Sequence, residues 1–460
     1  MPAAPETTKS LGLAACTAIV VGNMVGSGFY LSPSAVAPYG LLAILAWIVM
    51  GIGAVCLGLT FARLSRMLPA TGGPYAYTKA GYGDFAGFLV AWGYWISIWA
   101  SLPVIAVAFT GSLVKLLPSL QGNRALGVGI TLGVIWLVTL LNLRGVKEAG
   151  IFAVVTTYTK LVPFAAIAIV GLVYVRRDLL GDFNPSGASL LESSAALAPL
   201  TMFAYLGLES ATVPAGDVRD PERTIPRSTI FGILAAALLY VLGTTVVMGV
   251  VPREQLIASK APFADAAQLM WGSWAAVVIG FVVMLSSLGA LNGWTLLMGQ
   301  VPMAAAADRV FPSVFGRVSS RGVPAVGLVI SASLATALVL VQVAGGSGFA
   351  AVYNMIVSLS TMAAVVPYVF CALAPGLIAG RSGATPRITL VEIVAFVFAM
   401  FTIYGCGPEP VLYGLILLLL GLPVYVWQRR ENAGAAALRA PTAARSATTA
   451  VRDEVVSEVA

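Results

Sequence analysis

Gly22-Asn23-Met24-Val25-Gly26-Ser27-Gly28 interrupts an otherwise apolar stretch of membrane-helix length. Glycine and serine at that density are costly in a spanning helix unless the helix breaks there. Broken backbone at membrane depth is tolerated only where protein buries it or where it lines a cavity. A break frees backbone N–H groups, and these can hold a carboxylate or another anion. Gly26 and Gly28 allow close approach of a ligand to the backbone, Ser27 adds a hydroxyl and Asn23 an amide. The competing reading is a helix-packing face, because Gly22 and Gly26 are four residues apart. Asn23 disfavours pure packing.

A second stretch has the same style. Thr201-Met202-Phe203-Ala204-Tyr205-Leu206-Gly207-Leu208-Glu209-Ser210-Ala211 carries a glycine, an acid and a serine where an unbroken helix would place leucine. Glu209 is the acid that falls deep in a span, and an intramembrane acid is a functional candidate by default. It could titrate, meet a substrate cation, or brace the break through hydrogen bonds. Lys160 lies about ten residues, roughly 15 Å of helix, from the loop holding Arg144 and Lys147. That is deep for full snorkelling. Such a lysine could exchange protons, or act as a fixed cation against the broken helices. Tyr94, Trp95, Trp99, Phe203, Tyr205 and Trp294 fall within spans. Each alone fits core packing; as a set beside the breaks, two or three are expected to wall or gate a pocket, where cation–π contact with an amino group is available. Asn292-Gly293-Trp294, with Ser358, Ser360 and Thr361, supplies polar positions that suit helix–helix hydrogen bonds and substrate contact equally.

These residues need a membrane scaffold, and the composition provides one. Of 460 residues, 59% are hydrophobic and 10% charged, against about 25% charged in soluble domains. Twelve apolar segments each approach the ~20 residues that cross a hydrocarbon core: 12–37, 41–65, 84–117, 125–143, 150–175, 194–216, 227–251, 272–307, 323–345, 350–378, 388–405 and 410–428. The odd loops hold Lys115, Arg124, Arg176, Arg177, Arg253 and Lys260; the even loops hold far more, among them Arg63, Arg66, Lys79, Arg219, Arg223, Arg317 and Arg321. The positive-inside rule then predicts both termini in the cytoplasm. The expected organisation is a cytoplasmic N-terminus (1–10), a transmembrane transporter domain (11–428) and a disordered cytoplasmic tail (429–460). The fold class is an all-α polytopic membrane protein of about twelve helices. Interruptions in the first and sixth spans are what two inverted five-helix repeats would produce.

Composition also excludes chemistry. There is no histidine, so a histidine relay, metal site or triad is ruled out. Cys16, Cys56, Cys371 and Cys406 lie in apolar segments at spacings that suit neither a metal site nor a disulfide framework. They read as small core residues. The net charge of +7 sits in short loops and sets topology, so no nucleic-acid partner is expected. No cofactor and no metal are expected, and the chain reads as no enzyme.

Together Gly22 to Gly28, Gly72-Gly73-Pro74-Tyr75-Ala76-Tyr77, Leu206 to Ala211, Arg219-Asp220-Pro221-Glu222-Arg223 and Gly293-Trp294-Thr295-Leu296-Leu297 resemble the amino acid–polyamine–organocation (APC) superfamily, most closely the bacterial arginine/agmatine and putrescine/ornithine exchangers. The resemblance implies an inverted-repeat core of ten helices plus two more, with substrate between spans 1, 3, 6, 8 and 10. By position it implies a carboxylate-binding role for Ser27 and Gly28, a gating or protonation role for Glu209, and a wall or gate role for Trp294. The chain departs from those exchangers where Phe203 replaces their tryptophan gate, where Leu102 and Pro103 fall at their span-3 asparagine, and at Lys160. A lysine there is similar to proton-coupled and neutral-amino-acid members of the wider superfamily.

The expectation is a secondary active amino-acid transporter of a bacterial-type cytoplasmic membrane, working by alternating access through proton-coupled uptake or exchange. Asn23, Gly26, Ser27, Gly28, Tyr94, Phe203, Tyr205, Trp294 and Ser358 are its candidate substrate contacts, and Glu209 and Lys160 its coupling or gating groups. A strict arginine/agmatine-type amino acid/amine antiporter is the alternative, and a channel is the rival from another class. Expected partners are a small amino acid or amine and the lipid bilayer, with a homodimer left open.

Overall fold

A computed structural model describes residues 11–120, 122–344, 349–381, 385 and 387–431; the side chains of Ser27, Pro118, 146–154, Asp217 and 349–352 are outside the description. The first span is split into α1 (Leu13–Met24) and α2 (Ser27–Tyr30). Then come α3 (Leu41–Met67), the short α4 (Pro74–Tyr82), α5 (Asp84–Leu116), α6 (Arg124–Arg144) and α7 (Val146–Val170). The second half holds α8 (Leu190–Tyr205), α9 (Pro221–Val250), the surface helix α10 (Pro262–Trp271), α11 (Ser273–Ala307), α12 (Ala325–Ala344), α13 (Phe349–Arg381), α14 (Leu390–Gly405) and α15 (Pro408–Leu419). Among the described residues nine helices are long and apolar enough to cross a membrane, and α1 and α14 are shorter apolar helices. The fold is nearly all-helical, with one isolated β-bridge, Leu11 to Val218, among the described residues.

Local chemistry starts these helices where loops end. Asn123 caps α6 by accepting the Leu126 N–H at 3.0 Å. Reciprocal capping boxes open α8 (Ser189 with Glu192) and α14 (Thr389 with Glu392), satisfying amide donors that a helix start leaves unpaired. Glu392 also accepts from Arg63 of α3 at 2.6 Å, with its side chain only 2% exposed. Apolar outer faces, such as Leu45, Ile48, Val49 and Ile52 of α3, remain exposed, as lipid contact requires.

The centre is α5 and α11, packed against each other and against α13, α7 and α1. Around them α9 lies on α3 and α1. Cys16, Cys371 and Cys406 are buried and Cys56 is half-buried, all as free thiols. The stretch 1–10 and residues 432–460 lie outside the described residues. The last helical segment runs on to Glu431. Arg429 holds it there, donating to Asp84 at 2.9 Å and to the Tyr425 hydroxyl at 3.0 Å.

Candidate functional site

The first span breaks at Val25 and Gly26, and the hydrogen bonds show how. The Gly26 N–H turns back to the Met24 carbonyl at 2.9 Å, and the Phe29 and Tyr30 N–H groups both bond the Gly26 carbonyl at 3.0 and 3.1 Å. In a continuous helix Gly26 would donate to Gly22 and Phe29 to Val25. The carbonyls of Gly22 and Val25 are therefore released, and Lys160 Nζ donates to both, at 2.9 and 2.7 Å. Tyr30 Oη also donates to the Val25 carbonyl at 2.8 Å and is hydrogen-bonded to Ser286 of α11. Lys160, 1% exposed, thus substitutes for two missing backbone donors.

The second break follows Tyr205. Leu206 to Glu209 leave the helix, and Gly207 takes φ of +95°, a left-handed conformation that glycine adopts without strain. A Cβ at Gly207 would also lie 2.9 Å from that of Asn23. The two breaks are tied directly: Asn23 Nδ2 donates to Ser210 Oγ at 2.8 Å. Glu209 is fully buried, and its two carboxylate oxygens accept from the hydroxyls of Tyr94 on α5 and Tyr368 on α13. The acid therefore joins the second break to both helices.

Between the breaks lies a small cavity. Asn23, Met24, Gly26 and Gly28 form its floor; Ser101 and Ile105 of α5, Phe203 of α8 and Trp294 of α11 form its walls. It is closed down to about 10 Å³, roughly what one water needs. The Trp294 indole N–H donates to the Asn23 carbonyl at 3.3 Å. Gly28 presses on α8: a Cβ there would stand 2.8 Å from Ala204 Cα and 2.9 Å from the Phe203 ring. Among the described residues no backbone carbonyl accepts the Gly28 N–H.

The structure thus brings Asn23, Gly26, Gly28, Phe203 and Trp294 together, with Lys160 beneath the first break and Glu209 beyond the second. The Ser27 side chain is outside the described ones. Tyr94 faces Glu209. Tyr205 is directed away, donating to the Trp47 carbonyl at 3.4 Å and packing on Trp47 and Tyr240. Ser358 is half-buried and does not line the cavity. Trp95 bonds Ser331 and, with Trp99, joins a separate aromatic cluster around Phe311 and Phe315. Met24, Ser101, Ile105, Tyr30 and Tyr368 were not singled out in the sequence. Only Ser101 and Ser97, four apart in an apolar span, gave a signal. Leu102 is core.

A larger cavity of about 620 Å³ runs along Val104, Val107, Val128, Val339 and Tyr353. Its wall is mostly apolar and includes no residue of either break, so the smaller cavity is the candidate site. On the surface at the end of α11, Asp308 bonds Lys79 at 2.8 Å and Tyr75 at 2.7 Å. Partial burial alone would raise its carboxyl pKa, but the bonds from Lys79 and Tyr75 outweigh this and hold it below the usual range.

Residues 11–414 match the family described as amino acid permease. The chain belongs to this family, within the APC superfamily. It is 28% identical over 423 residues to the putrescine transporter PotE of Escherichia coli (strain K12), covering 91% of this chain and 96% of that protein. It is 31% identical over 440 residues to the cadaverine/lysine antiporter of the same strain, covering 93% and 97%. The putative arginine/ornithine antiporter of Bacillus subtilis (strain 168) is 29% identical over 462 residues, covering 91% and 97%. This permease is therefore an integral membrane transporter of the bacterial membrane, and no enzyme.

Proposed function

We propose that this permease is a secondary active amino-acid transporter working by alternating access. The observation that carries this is the cavity held between two broken helices and closed to about 10 Å³. A site too small for an amino acid must open to admit one, and backbone breaks on both sides supply the hinges. The substrate carboxylate sits on the Gly26-Ser27-Gly28 segment, with the Gly28 N–H as a donor, and the amino group on carbonyls at the end of α8. Phe203 and Trp294 close over it. Glu209 and Lys160 couple the breaks to α5, α13 and α7. Twelve spans in two inverted five-helix repeats plus two, with both termini cytoplasmic, complete this reading. The two interrupted spans and the loop charges support it.

Transport is proton-coupled uptake or exchange. The relatives described as antiporters support exchange, including amino acid for amine. Proteoliposomes separate the possibilities. Uptake driven by an inward proton gradient with no internal substrate supports coupling. Uptake that requires internal substrate supports exchange. Single-channel currents in a planar bilayer would overturn alternating access.

A further inference from the structure

We infer that the cavity selects amino acids that are neutral overall, and that it disfavours diamines and cationic amino acids. This rests on the transporter reading above and departs from the substrates that the relatives' descriptions name.

The wall carries the argument. Among the described residues its polar side chains are Asn23 and Ser101, both uncharged, and Met24, Ile105, Phe203 and Trp294 supply the rest. The Ser101 hydroxyl donates to the Ser97 carbonyl at 2.7 Å and Asn23 Nδ2 donates to Ser210, so what these side chains still offer is neutral acceptor oxygens and no counter-charge. The acid of the second break does not line the cavity; its two oxygens accept instead from Tyr94 and Tyr368. The fixed group nearest the first break is basic: Lys160 Nζ holds the carbonyl of Val25, the residue next to Gly26 of the cavity floor.

A buried charge must be paired. A zwitterionic amino acid brings its own opposite charges, so it needs no charged group on the wall. Its side chain then meets Met24, Ile105, Phe203 and Trp294, which suit a small or medium apolar group. A diamine brings two ammonium groups and no carboxylate. It leaves the Gly28 amide unused and finds no carboxylate among the described residues of the wall. A cationic amino acid fills the backbone sites but strands its side-chain charge. One unmatched ammonium weakens binding by roughly 10- to 100-fold.

The test is competition in proteoliposomes of the full chain, with radiolabelled L-alanine, L-serine and L-leucine against unlabelled putrescine, cadaverine, L-lysine and L-arginine. Titration calorimetry of the detergent-solubilised protein with the same compounds reads binding independently of turnover. The expected result is that at least one neutral amino acid is transported and bound roughly 10-fold or more tightly than every cationic compound. Ser101→Asp, which adds a carboxylate to the wall, should raise affinity for putrescine or lysine by a similar factor. Wild-type transport of a diamine or cationic amino acid as good as that of any neutral one overturns the inference and leaves the transporter reading intact. Neither transport nor binding of either class overturns that reading, and the inference with it.

Discussion

Replacing Lys160 with methionine should separate its charge from its bulk. Methionine keeps most of the buried volume, whereas alanine would also leave a void and confuse the two effects. In the native arrangement Lys160 Nζ serves the Gly22 and Val25 carbonyls. Without it the Val25 carbonyl keeps Tyr30, but the Gly22 carbonyl loses its partner. An unsatisfied buried acceptor costs about 1–3 kcal/mol. Against this, removing a buried ammonium recovers a desolvation cost of several kcal/mol. The two oppose each other in global stability, so the melting temperature should change little. They do not cancel for the geometry of the break, which loses the group that holds its two carbonyls together. If about 1.4–2.8 kcal/mol of that organisation is needed in the rate-limiting step, exchange slows by roughly 10- to 100-fold.

The assay is exchange in proteoliposomes across a pH series, with thermal unfolding measured in parallel. Loss of pH dependence in Lys160→Met identifies the lysine as the group that exchanges protons with bulk. Slower exchange at every pH, with the profile kept, identifies a fixed cation. Unchanged kinetics together with an unchanged pH profile would refute both, and would reduce the two hydrogen bonds to incidental packing.

Gly28→Val drives side-chain atoms into Ala204 and Phe203 of α8, an overpacking of about 1–3 kcal/mol; transport should be lost while folded protein is still recovered by gel filtration, and wild-type uptake would sink the carboxylate-cradle reading. Tyr30→Phe removes the second donor to the Val25 carbonyl and the contact with Ser286, so it should lower exchange by a smaller factor than Lys160→Met; an equal or larger loss would mean that the tyrosine, not the lysine, holds the break. Tyr368→Phe removes one of two hydroxyls from Glu209, about 1.5–3 kcal/mol if the acid is ionised, and should shift the pH profile of uptake, which an inert structural bond would leave alone. Asp308 is held low by Lys79 and Tyr75, so its contribution is complete above the ordinary carboxylate range and is lost only as pH falls through its lowered value. Asp308→Asn should therefore leave the shape of the pH profile between about pH 5 and 8 unchanged, and a changed shape would place a coupling group at that surface.

Both breaks were legible because glycine, serine and an acid are out of place in an apolar span, and the structure interrupts the helices at Val25-Gly26 and after Tyr205. The depth of Lys160 was legible by counting residues from the loop. Its partners were not, because the released carbonyls depend on where the Gly26 N–H turns. Helical phase explains where the aromatics fall. Phe203 and Tyr205 are two residues apart, which on a helix means different faces; one lines the cavity and the other packs on Trp47 and Tyr240.

The same phase divides α5 and shows why the site is built there. Tyr94, Ser101 and Ile105 recur at spacings of seven and four, so they share a stripe. That stripe runs from the hydroxyl on Glu209 to the cavity wall. Trp95 and Trp99, also four apart, lie on the adjoining stripe and pack into the aromatic cluster with Phe311 and Phe315. One helix therefore contacts the acid of the second break at one level and the ligand cavity two turns on. In the proposed alternating access, a movement of α5 against the second break that widens the cavity would also strain the Tyr94 bond to Glu209. In the proposed mechanism, coupling between the acid and the cavity runs through α5, which carries both contacts.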